Sequence, residues 1–369
     1  MDTVTLVKQL CDLNAPVGSE HLAAEKLKSL FEPYCDEVYV DDFFNVTGYK
    51  KGTSDKPGKI IITAHYDQIG MIVSGFEKGG FLRISNLGGV DTKALLAREV
   101  IVHGREEVYG VIGAKPPHLL KDDETNKNVS ITELFIDTGY PDDVIKQKVS
   151  VGDPVTVVAS VAEMKNRCVA GRSLDNRAGV AALVLILKEL RNIKHPNDIY
   201  VIATVQEETG LLGAVASSYS LEPDLAVVID VCHGDMPDAD KSQCFPLNKG
   251  VPVGVGPAFH SEYTGALFET ARRERIPTQR CIEPGNPGTE AWAIQVSRTG
   301  VPTVEVGIPL RYMHTTAELI SLQDLENAAV LVARYVSGDI LKKAKSLNRY
   351  RVRKTLKAWN KATGRGILI

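Results

Sequence analysis

Cysteine is scarce and scattered in this chain of 369 residues. No two of its six cysteines form a CxxC pair, so the sequence contains neither a disulfide framework nor a thiolate zinc motif. In a chain of this length, that distribution predicts reduced thiols of the kind found in the cytosol. The cysteines are Cys11, Cys35, Cys168, Cys232, Cys244 and Cys281.

Long hydrophobic segments are also missing. The longest apolar run, at residues 178–187, is too short to span a bilayer. Residues 1–20 lack the basic and apolar regions of a signal peptide. We therefore expect a cytoplasmic protein without a membrane partner. The sequence also lacks a P-loop, a GxGxxG fingerprint and a GxSxG nucleophile elbow, which disfavours nucleotide-binding and serine-hydrolase functions.

Acidic residues are missing from one part of the chain only. Residues 342–369 contain ten lysines and arginines and no Asp or Glu, and without those ten charges the net charge of −3 becomes −13. We expect residues 346–369 to form a basic C-terminal extension that packs on the acidic body of its own oligomer. Binding of nucleic acid, of a membrane surface or of an acidic partner by this extension stays open as the alternative.

The distribution of apolar residues divides the rest of the chain into regions of two different sequence patterns. Strand and helix patterns alternate over residues 1–70 and 164–345, which predicts an α/β layered sheet. Residues 71–163 are rich in Val, Ile, Gly and turn formers, which is typical of a compact β-rich insertion. The predicted fold is therefore α/β, with a central mixed sheet flanked by helices and a small inserted β-rich domain.

Histidines and carboxylates follow or flank the apolar strand patterns of the α/β part, where functional groups of open sheets gather. Taken singly, such an Asp is more often a cap or a turn former, and such a His is more often structural. Taken together, they form a nitrogen and oxygen ligand set that suits Zn, Co or Mn. The residues are His65, Asp67, Asp175, Glu207, Glu208, Asp230 and His314.

The number of these candidate ligands exceeds what one catalytic zinc needs, which is three protein ligands and a water. Five ligands fit a two-metal site if one carboxylate bridges the ions. If Glu208 is a ligand, Glu207 remains free to take a proton from the attacking water, because adjacent strand residues point to opposite sides. Asp67 lies two residues after His65, so we expect it to orient the imidazole from the same face.

Several motifs closely resemble, in the same order, those of the tetrahedral-type dimetal aminopeptidases. The motifs are AHYDQIG, LDNRAG, ATVQEETGLLGA, VIDVCHGDMP and IPLRYMHTTAELISLQDLE. That family includes glutamyl, leucyl and deblocking aminopeptidases and endoglucanase M-like proteins. The resemblance extends over roughly residues 5–338.

The resemblance implies a role for each candidate residue. His65 and Asp230 are expected to bind one metal ion, and Glu208 and His314 the other. Asp175 is expected to bridge the ions, and Asp67 to support His65. Glu207 is expected to be the general base that prepares a metal-bridging hydroxide. The implied cofactors are two divalent ions per subunit, Zn or Co with Mn as a further possibility, and the implied substrates are peptides.

The resemblance also implies an assembly. Residues 1–70 and 164–345 would form a zinc-peptidase-like catalytic domain, and residues 71–163 a dimerisation domain. Dimers would build a tetrahedral dodecamer with interior active sites. The chain departs from the family pattern at Gln68 and Glu290, where the family usually has Glu and Asp. We expect Gln68 to be a conservative polar neighbour, with altered metal or pH preference as the alternative, and Glu290 either to reshape the substrate-amine side of the pocket or to have no effect.

Other functions compete with an aminopeptidase. The nearest is another dimetal amidohydrolase, such as an aminoacylase or a dipeptidase-like enzyme. A carbohydrate hydrolase would need two carboxylates flanking a sugar and no metal. A non-catalytic scaffold would use the basic extension to bind nucleic acid or a protein partner, but the complete candidate ligand set argues against loss of catalysis.

Overall fold

The computed structural model describes residues 1–119 and 129–342, so the predicted basic extension lies outside the described residues. The α-helices of the described residues are α1 (Thr3–Cys11), α2 (Ala24–Phe31), α3 (Thr92–Leu95), α4 (Asp142–Lys148), α5 (Leu174–Leu190), α6 (Glu207–Gly210), α7 (Leu212–Leu221), α8 (Ser261–Glu274), α9 (Ala291–Ile294) and α10 (Leu322–Val336). The strands are β1 (Glu37–Val40), β2 (Val46–Lys50), β3 (Lys59–His65), β4 (Gly70–Glu77), β5 (Phe81–Leu87), β6 (Glu99–His103), β7 (Glu107–Gly113), β8 (Phe135–Asp137), β9 (Pro154–Val157), β10 (Ala162–Met164), β11 (Cys168–Gly171), β12 (Asp198–Thr204), β13 (Leu225–His233), β14 (Val251–Val255), β15 (Thr278–Ile282), β16 (Thr303–Arg311) and β17 (Glu318–Ser321).

A large mixed sheet forms the body of the protein. Eleven strands of the described residues belong to it, in the order β1-β2-β12-β3-β13-β16-β17-β11-β10, with β14 and β15 attached beside β16. The central strands β12, β3, β13 and β16 are parallel to one another. Their carboxyl ends therefore open at one edge of the sheet, which is the usual place for a ligand site in such a fold.

Both faces of the central strands are covered, as expected for parallel strands with continuous apolar sequences. On β3, Ile60 and Ile62 belong to the larger core, which α5 and α10 also form, whereas Ile61 belongs to the core on the opposite face. Because side chains alternate along a strand, residues of the second face continue towards His65 at the end of β3. The sequence of β3 thus predicts both its burial and the direction of its terminal histidine.

A separate closed barrel stands between β3 and α5 in the chain. Its strands run in the order β4-β5-β8-β7-β6-β9, all paired antiparallel, and they enclose a core of their own. The predicted fold class, a mixed α/β sheet flanked by helices with a small β-rich insertion, is confirmed. The use of the insertion for dimerisation stays a prediction.

Some local expectations differ from the structure. The segment 38–49 reads as one strand but forms the β1-β2 hairpin, because the Asp41 carboxylate accepts hydrogen bonds from the backbone N–H groups of Phe43 and Asn45 and turns the chain. Strand β10 lies inside the predicted insertion by number, yet it pairs with β11 in the large sheet. The strands of the barrel end earlier, at Val157.

None of the helices in residues 1–119 and 129–342 is long and apolar enough to cross a membrane.

Candidate metal centre and active site

The predicted site residues converge at the carboxyl edge of the large sheet. His65 ends β3, and Asp230 lies three residues before the end of β13, which extends further than its apolar run suggests. Asp175 stands in the irregular first turn of α5. All candidates except Asp67 line one cavity of about 500 Å³: His65, Asp175, Glu207, Glu208, Asp230 and His314.

The imidazole of His65 is the centre of one group of ligand atoms. Its Nε2 lies 3.2 Å from Oδ1 of Asp175 and 3.8 Å from Oδ1 of Asp230. The same nitrogen lies 3.9 Å from Oε2 of Glu207. His65, Asp175 and Asp230 are all buried, and one ligand atom from each falls within a space that fits a single ion.

A second group of ligand atoms surrounds the imidazole of His314. Its Nε2 lies 3.4 Å from Oδ2 of Asp175 and 3.5 Å from Oε2 of Glu208. Its Nδ1 lies 2.9 Å from the carbonyl oxygen of Gly89, which fixes the ring with Nε2 towards the carboxylates. Asp175 therefore presents one oxygen to each histidine, and the two groups share this single carboxylate.

Glu207 and Glu208 begin a short helix, α6, and do not continue a strand. The prediction that they point to opposite sides because they are neighbours in a strand is therefore wrong in its reason. The two side chains still diverge, since Glu207 approaches His65 and Glu208 approaches His314. Asp67 holds this turn: its Oδ1 and Oδ2 accept hydrogen bonds from the backbone N–H groups of Glu207 at 3.1 Å and of Glu208 at 3.2 Å.

Asp67 also lies beside His65, as expected from their spacing. Its Oδ1 is 3.5 Å from Nδ1 of His65, which is longer than a well-formed hydrogen bond. The Nδ1 atom has no hydrogen-bond partner and is buried. Asp67 thus combines two contacts that the sequence does not reveal together, one to the imidazole and one to the helix that carries both glutamates.

Left-handed backbone conformations occur at one site residue, His314, and within two residues of two others, Asp175 and Glu207. Ser173, Gln206 and His314 have φ values of 59°, 55° and 62°. Such values are uncommon for residues other than glycine and cost free energy, so the surrounding contacts must hold them. These turns aim side chains from separate elements at one point, an arrangement that regular strands and helices alone do not provide.

The electrostatics of the site reflect crowded carboxylates. Burial, followed by the charge of Asp175, raises the pKa of Glu208 to about 8. Burial also raises the pKa of Glu207 to about 7 against the opposing effect of His65, and raises that of Asp230 well above its usual range. Burial works against ionisation of Asp175 too, but hydrogen bonds from His314 and His65 hold its pKa low.

This set of donors fits divalent metal ions. The ligand atoms are imidazole nitrogens and carboxylate oxygens, with no thiolate, which suits Zn, Co or Mn. Several carboxylates are buried close together here, and a divalent ion would supply the positive charge that favours their ionised forms. Three overlapping groups of these side chains could each hold a metal ion: His65 with Asp175 and Asp230, His65 with Glu207 and Glu208, and Asp175 with Glu208 and His314.

The sequence profile of the family described as M42 glutamyl aminopeptidase matches residues 45–331. The chain belongs to the M42 peptidase family. The resemblance noted from the motifs is therefore confirmed, and the protein is an aminopeptidase of the hydrolase class.

Relatives of this M42 peptidase align with it along most of their length. A lysyl aminopeptidase of Pyrococcus furiosus is 31% identical over 88% of this chain and 94% of its own. The structure of a TET aminopeptidase from a marine-sediment Thaumarchaeota archaeon has a TM-score of 0.87 at 33% identity, covering 92% of this chain and 98% of that one. The TET1 peptidase of Pyrococcus horikoshii has a TM-score of 0.80 at 25% identity, covering 91% and 99%.

Glu318 is a site residue that sequence reasoning missed. It is buried at the start of β17, and its Oε2 accepts a hydrogen bond from the backbone N–H of Asp175 at 3.1 Å. Its Oε1 accepts another from the backbone N–H of His314 at 2.9 Å. One carboxylate therefore ties together the shared Asp and a candidate ligand of the second ion. A signal was present, since a Glu opening an apolar strand four residues after His314 is unusual.

Replacing Glu318 by Gln is expected to weaken metal binding by about 10- to 100-fold, because the amide cannot accept from both N–H groups with two equivalent oxygens. Metal titration of the chelated protein measures this effect. Glu269→Gln, an exposed change on α8, is the matched control. Equal metal affinity in Glu318→Gln and the control would contradict the positioning role.

Gln68 lines a second cavity beside the candidate metal centre, together with Asp175, Glu208 and His314. Its Oε1 accepts a hydrogen bond at 3.3 Å from Nη2 of Arg177, whose Nη1 donates to the carbonyl of Leu10 at 2.7 Å. Arg177 is fully buried, and burial lowers its pKa to about 10. These contacts favour the expectation that Gln68 is a polar neighbour.

Restoring the acid by Gln68→Glu is expected to stabilise the fold by about 1–3 kcal/mol, because a carboxylate would then accept from the buried guanidinium of Arg177. Chemical denaturation of the metal-free protein measures the change, and metal stoichiometry should stay the same. A change in the number of bound ions without a gain in stability would show instead that residue 68 acts on the metals.

Glu290 is not a wall of the cavity that the candidate ligands line. It is 1% exposed, and the hydroxyls of Thr63 and Thr204 oppose the rise in pKa that its burial causes. The longer side chain therefore lies beneath the site, which disfavours the idea that it reshapes the substrate-amine side of the pocket.

Proposed function

We propose that this M42 peptidase is a two-metal aminopeptidase. His65 and Asp230 would hold one ion, Glu208 and His314 would hold the other, and Asp175 would be a ligand of both. The observation that carries the proposal is the position of the Asp175 carboxylate, with Oδ1 3.2 Å from Nε2 of His65 and Oδ2 3.4 Å from Nε2 of His314. The cofactors are two divalent ions per subunit, Zn or Co, with Mn also compatible with the donor set.

Two such ions, when bound, polarise the scissile carbonyl and lower the pKa of water. Glu207 lines the cavity with its Oε2 3.9 Å from Nε2 of His65, and because the five other residues already supply the proposed ligands, we assign it to proton transfer and not to metal binding. It takes a proton from the attacking water and returns it to the leaving amine.

The substrates are peptides with a free amino terminus. The cavity is about 500 Å³ in volume and contains the candidate ligands at one side, so it accommodates one terminal side chain next to the reacting carbonyl. The names of relatives do not decide which terminal residue is preferred, because the family is described as glutamyl whereas the Pyrococcus furiosus protein is a lysyl aminopeptidase.

The enzyme acts as a homo-oligomer. The TET1 peptidase of Pyrococcus horikoshii, which can assemble into a tetrahedron or a large octahedral shell, supports this state. A dimer formed through the barrel and assembled into a tetrahedral dodecamer, in the cytoplasm, is our specific prediction. Light scattering and electron microscopy of the purified chain test it, and a monomer at micromolar concentration would contradict it.

A substrate panel separates the proposal from the aminoacylase alternative. Matched peptides with a free or an acetylated amino terminus are offered to the protein after chelation and after addition of Zn, Co or Mn. We expect cleavage of the first peptide bond of the free peptides only, and only with metal. Preferential release of acetate from the acetylated peptides would identify an aminoacylase instead.

A further inference from the structure

Two carboxylates line the cavity beyond the candidate metal centre. Glu305 is buried on β16, and Glu283 lies half-buried just after β15. Neither is a proposed metal ligand, and neither takes part in the proton transfers assigned to Glu207. Because a buried carboxylate without a cationic partner is costly, these two acids call for an explanation.

Strand pairing places Glu305 directly beyond the metal centre. Gly307 pairs with Asp230, and Glu305 precedes Gly307 by two residues, so its side chain lies on the same face of the sheet. Two residues along a strand correspond to about 6.6 Å, a distance that a long side chain spans. A terminal residue with its carbonyl at the metal centre would therefore direct its side chain towards Glu305.

The two acids are not neutralised by the protein. The described residues lining the cavity include no lysine or arginine, and neither acid forms an ion pair within the part of the chain that the structure describes. Glu305 Oε2 accepts a short hydrogen bond of 2.5 Å from the hydroxyl of Thr289. Sγ of Cys281 lies 3.2 Å from Oε1 of Glu283. These contacts orient both carboxylates without adding positive charge.

The electrostatic balance supports a missing cation. Burial raises the pKa of Glu305 to about 7, and the nearby charge of Glu283 adds to the rise. The hydrogen bond from Thr289 opposes it. Two divalent ions at the metal centre would offset the carboxylates there but not this pair. A ligand cation between the two carboxylates would favour the charged form of Glu305 and offset its repulsion with Glu283.

The walls around the acids suit the methylene chain of a long cationic residue. Phe245, Met313, Cys232 and Cys281 line the same cavity as the two acids. Lysine and arginine place apolar stems along such surfaces and keep the charged head for a polar partner. A short apolar residue would leave the acids unpaired, and a glutamate would be repelled.

We propose that Glu283 and Glu305 form a specificity site that selects peptides with Lys or Arg at the amino terminus. This inference rests on the proposed aminopeptidase function and names the substrate class of that same cavity. The side-chain cation lies between the two carboxylates, while the α-amine and the first carbonyl lie at the metal centre. The alternative is that Glu305 serves only to hold Thr289 in place.

Aminoacyl chromogens of Lys, Arg, Leu and Glu, assayed with the metal-loaded oligomer, test the proposal. The wild-type protein is expected to have its highest kcat/KM with Lys or Arg. In Glu305→Gln and Glu283→Gln the ratio of kcat/KM for Lys to that for Leu is expected to fall at least tenfold. The control Glu269→Gln, whose residue does not line the cavity, should keep the ratio.

A charge reversal provides a gain of function that misfolding cannot imitate. Glu283→Lys is expected to raise kcat/KM for the Glu substrate relative to Lys, since residue 283 is only half-buried and tolerates an ammonium group. Preference for Leu or Glu in the wild-type protein, with a Lys-to-Leu ratio unchanged in all three variants, would overturn the specificity site while leaving the aminopeptidase function standing. Lack of turnover with every free-amine substrate would overturn both.

Discussion

Replacing Glu207 by Gln is expected to lower kcat by about 100- to 10,000-fold while two metal ions remain bound. The amide keeps the shape of the side chain but cannot take a proton from water or return it to the leaving amine. Metal content should persist because Glu207 is not in the proposed ligand set. Its Oε2 lies 3.9 Å from Nε2 of His65, beside the first ion's position.

The Glu207 result is read from two measurements on one preparation. Steady-state kinetics with a free-amine peptide give kcat, and elemental analysis gives ions per subunit. Glu269→Gln, exposed on α8, undergoes the same chemical change away from the cavity and should retain wild-type rates. Wild-type turnover in Glu207→Gln would refute the base assignment, and loss of metal would make Glu207 a ligand instead.

Replacing Asp175 by Ala is expected to remove both ions and all measurable turnover. Its carboxylate belongs to the proposed ligand sets of both ions, so its loss would leave each ion short of one ligand. Removal also leaves His65 and His314 without the carboxylate oxygens at 3.2 and 3.4 Å that face them. Asp175→Asn, which is closer in shape, should show the same loss.

Folding must be separated from metal loss in the Asp175 variants. Circular dichroism and light scattering establish that the variants keep the fold and assembly of the metal-free wild-type protein. Asp143→Ala, an exposed change on α4 of the barrel, controls for removal of a carboxylate and should bind two ions. Two ions retained by folded Asp175→Ala would eliminate the bridging role, and one retained ion would assign Asp175 to a single site.

The central sheet and most of the candidate site could be predicted because both depend on local patterns. Apolar runs such as that of β3 predict buried parallel strands, and a histidine at the end of such a run lies at the functional edge of the sheet. The histidines and carboxylates at several strand ends, considered together, then indicated a metal centre. The structure brings His65, Asp175, Asp230, Glu208 and His314 around one cavity.

The remaining features depend on contacts between distant segments. Glu318 reads as the first residue of an apolar strand, and its hydrogen bond to the N–H of Asp175 joins residues 143 positions apart. The contacts of Asp67 with the turn at Glu207 likewise join the segment after β3 to the start of α6, which follows β12. Left-handed turns at Gln206 and His314 aim side chains in directions that strand periodicity does not predict.

The specificity site was also beyond the sequence alone. Glu283 follows β15 and Glu305 lies on β16, 22 positions later, with no motif between them that distinguishes a pair of solvated acids from a pocket. Only the pairing of β16 with β13 places Glu305 on the face of Asp230. Residue types and strand patterns thus indicated the chemistry, whereas the proposed substrate preference rests on the packing of separate strands.

Activity as a function of metal content tests the two-metal aminopeptidase most directly. The chelated wild-type protein receives increasing equivalents of Zn or Co, and hydrolysis of a free-amine Lys peptide is measured at each step. We predict no turnover without metal and a plateau at two ions per subunit. Full activity in the metal-free protein, or a plateau at one ion with a second that never binds, would contradict the account.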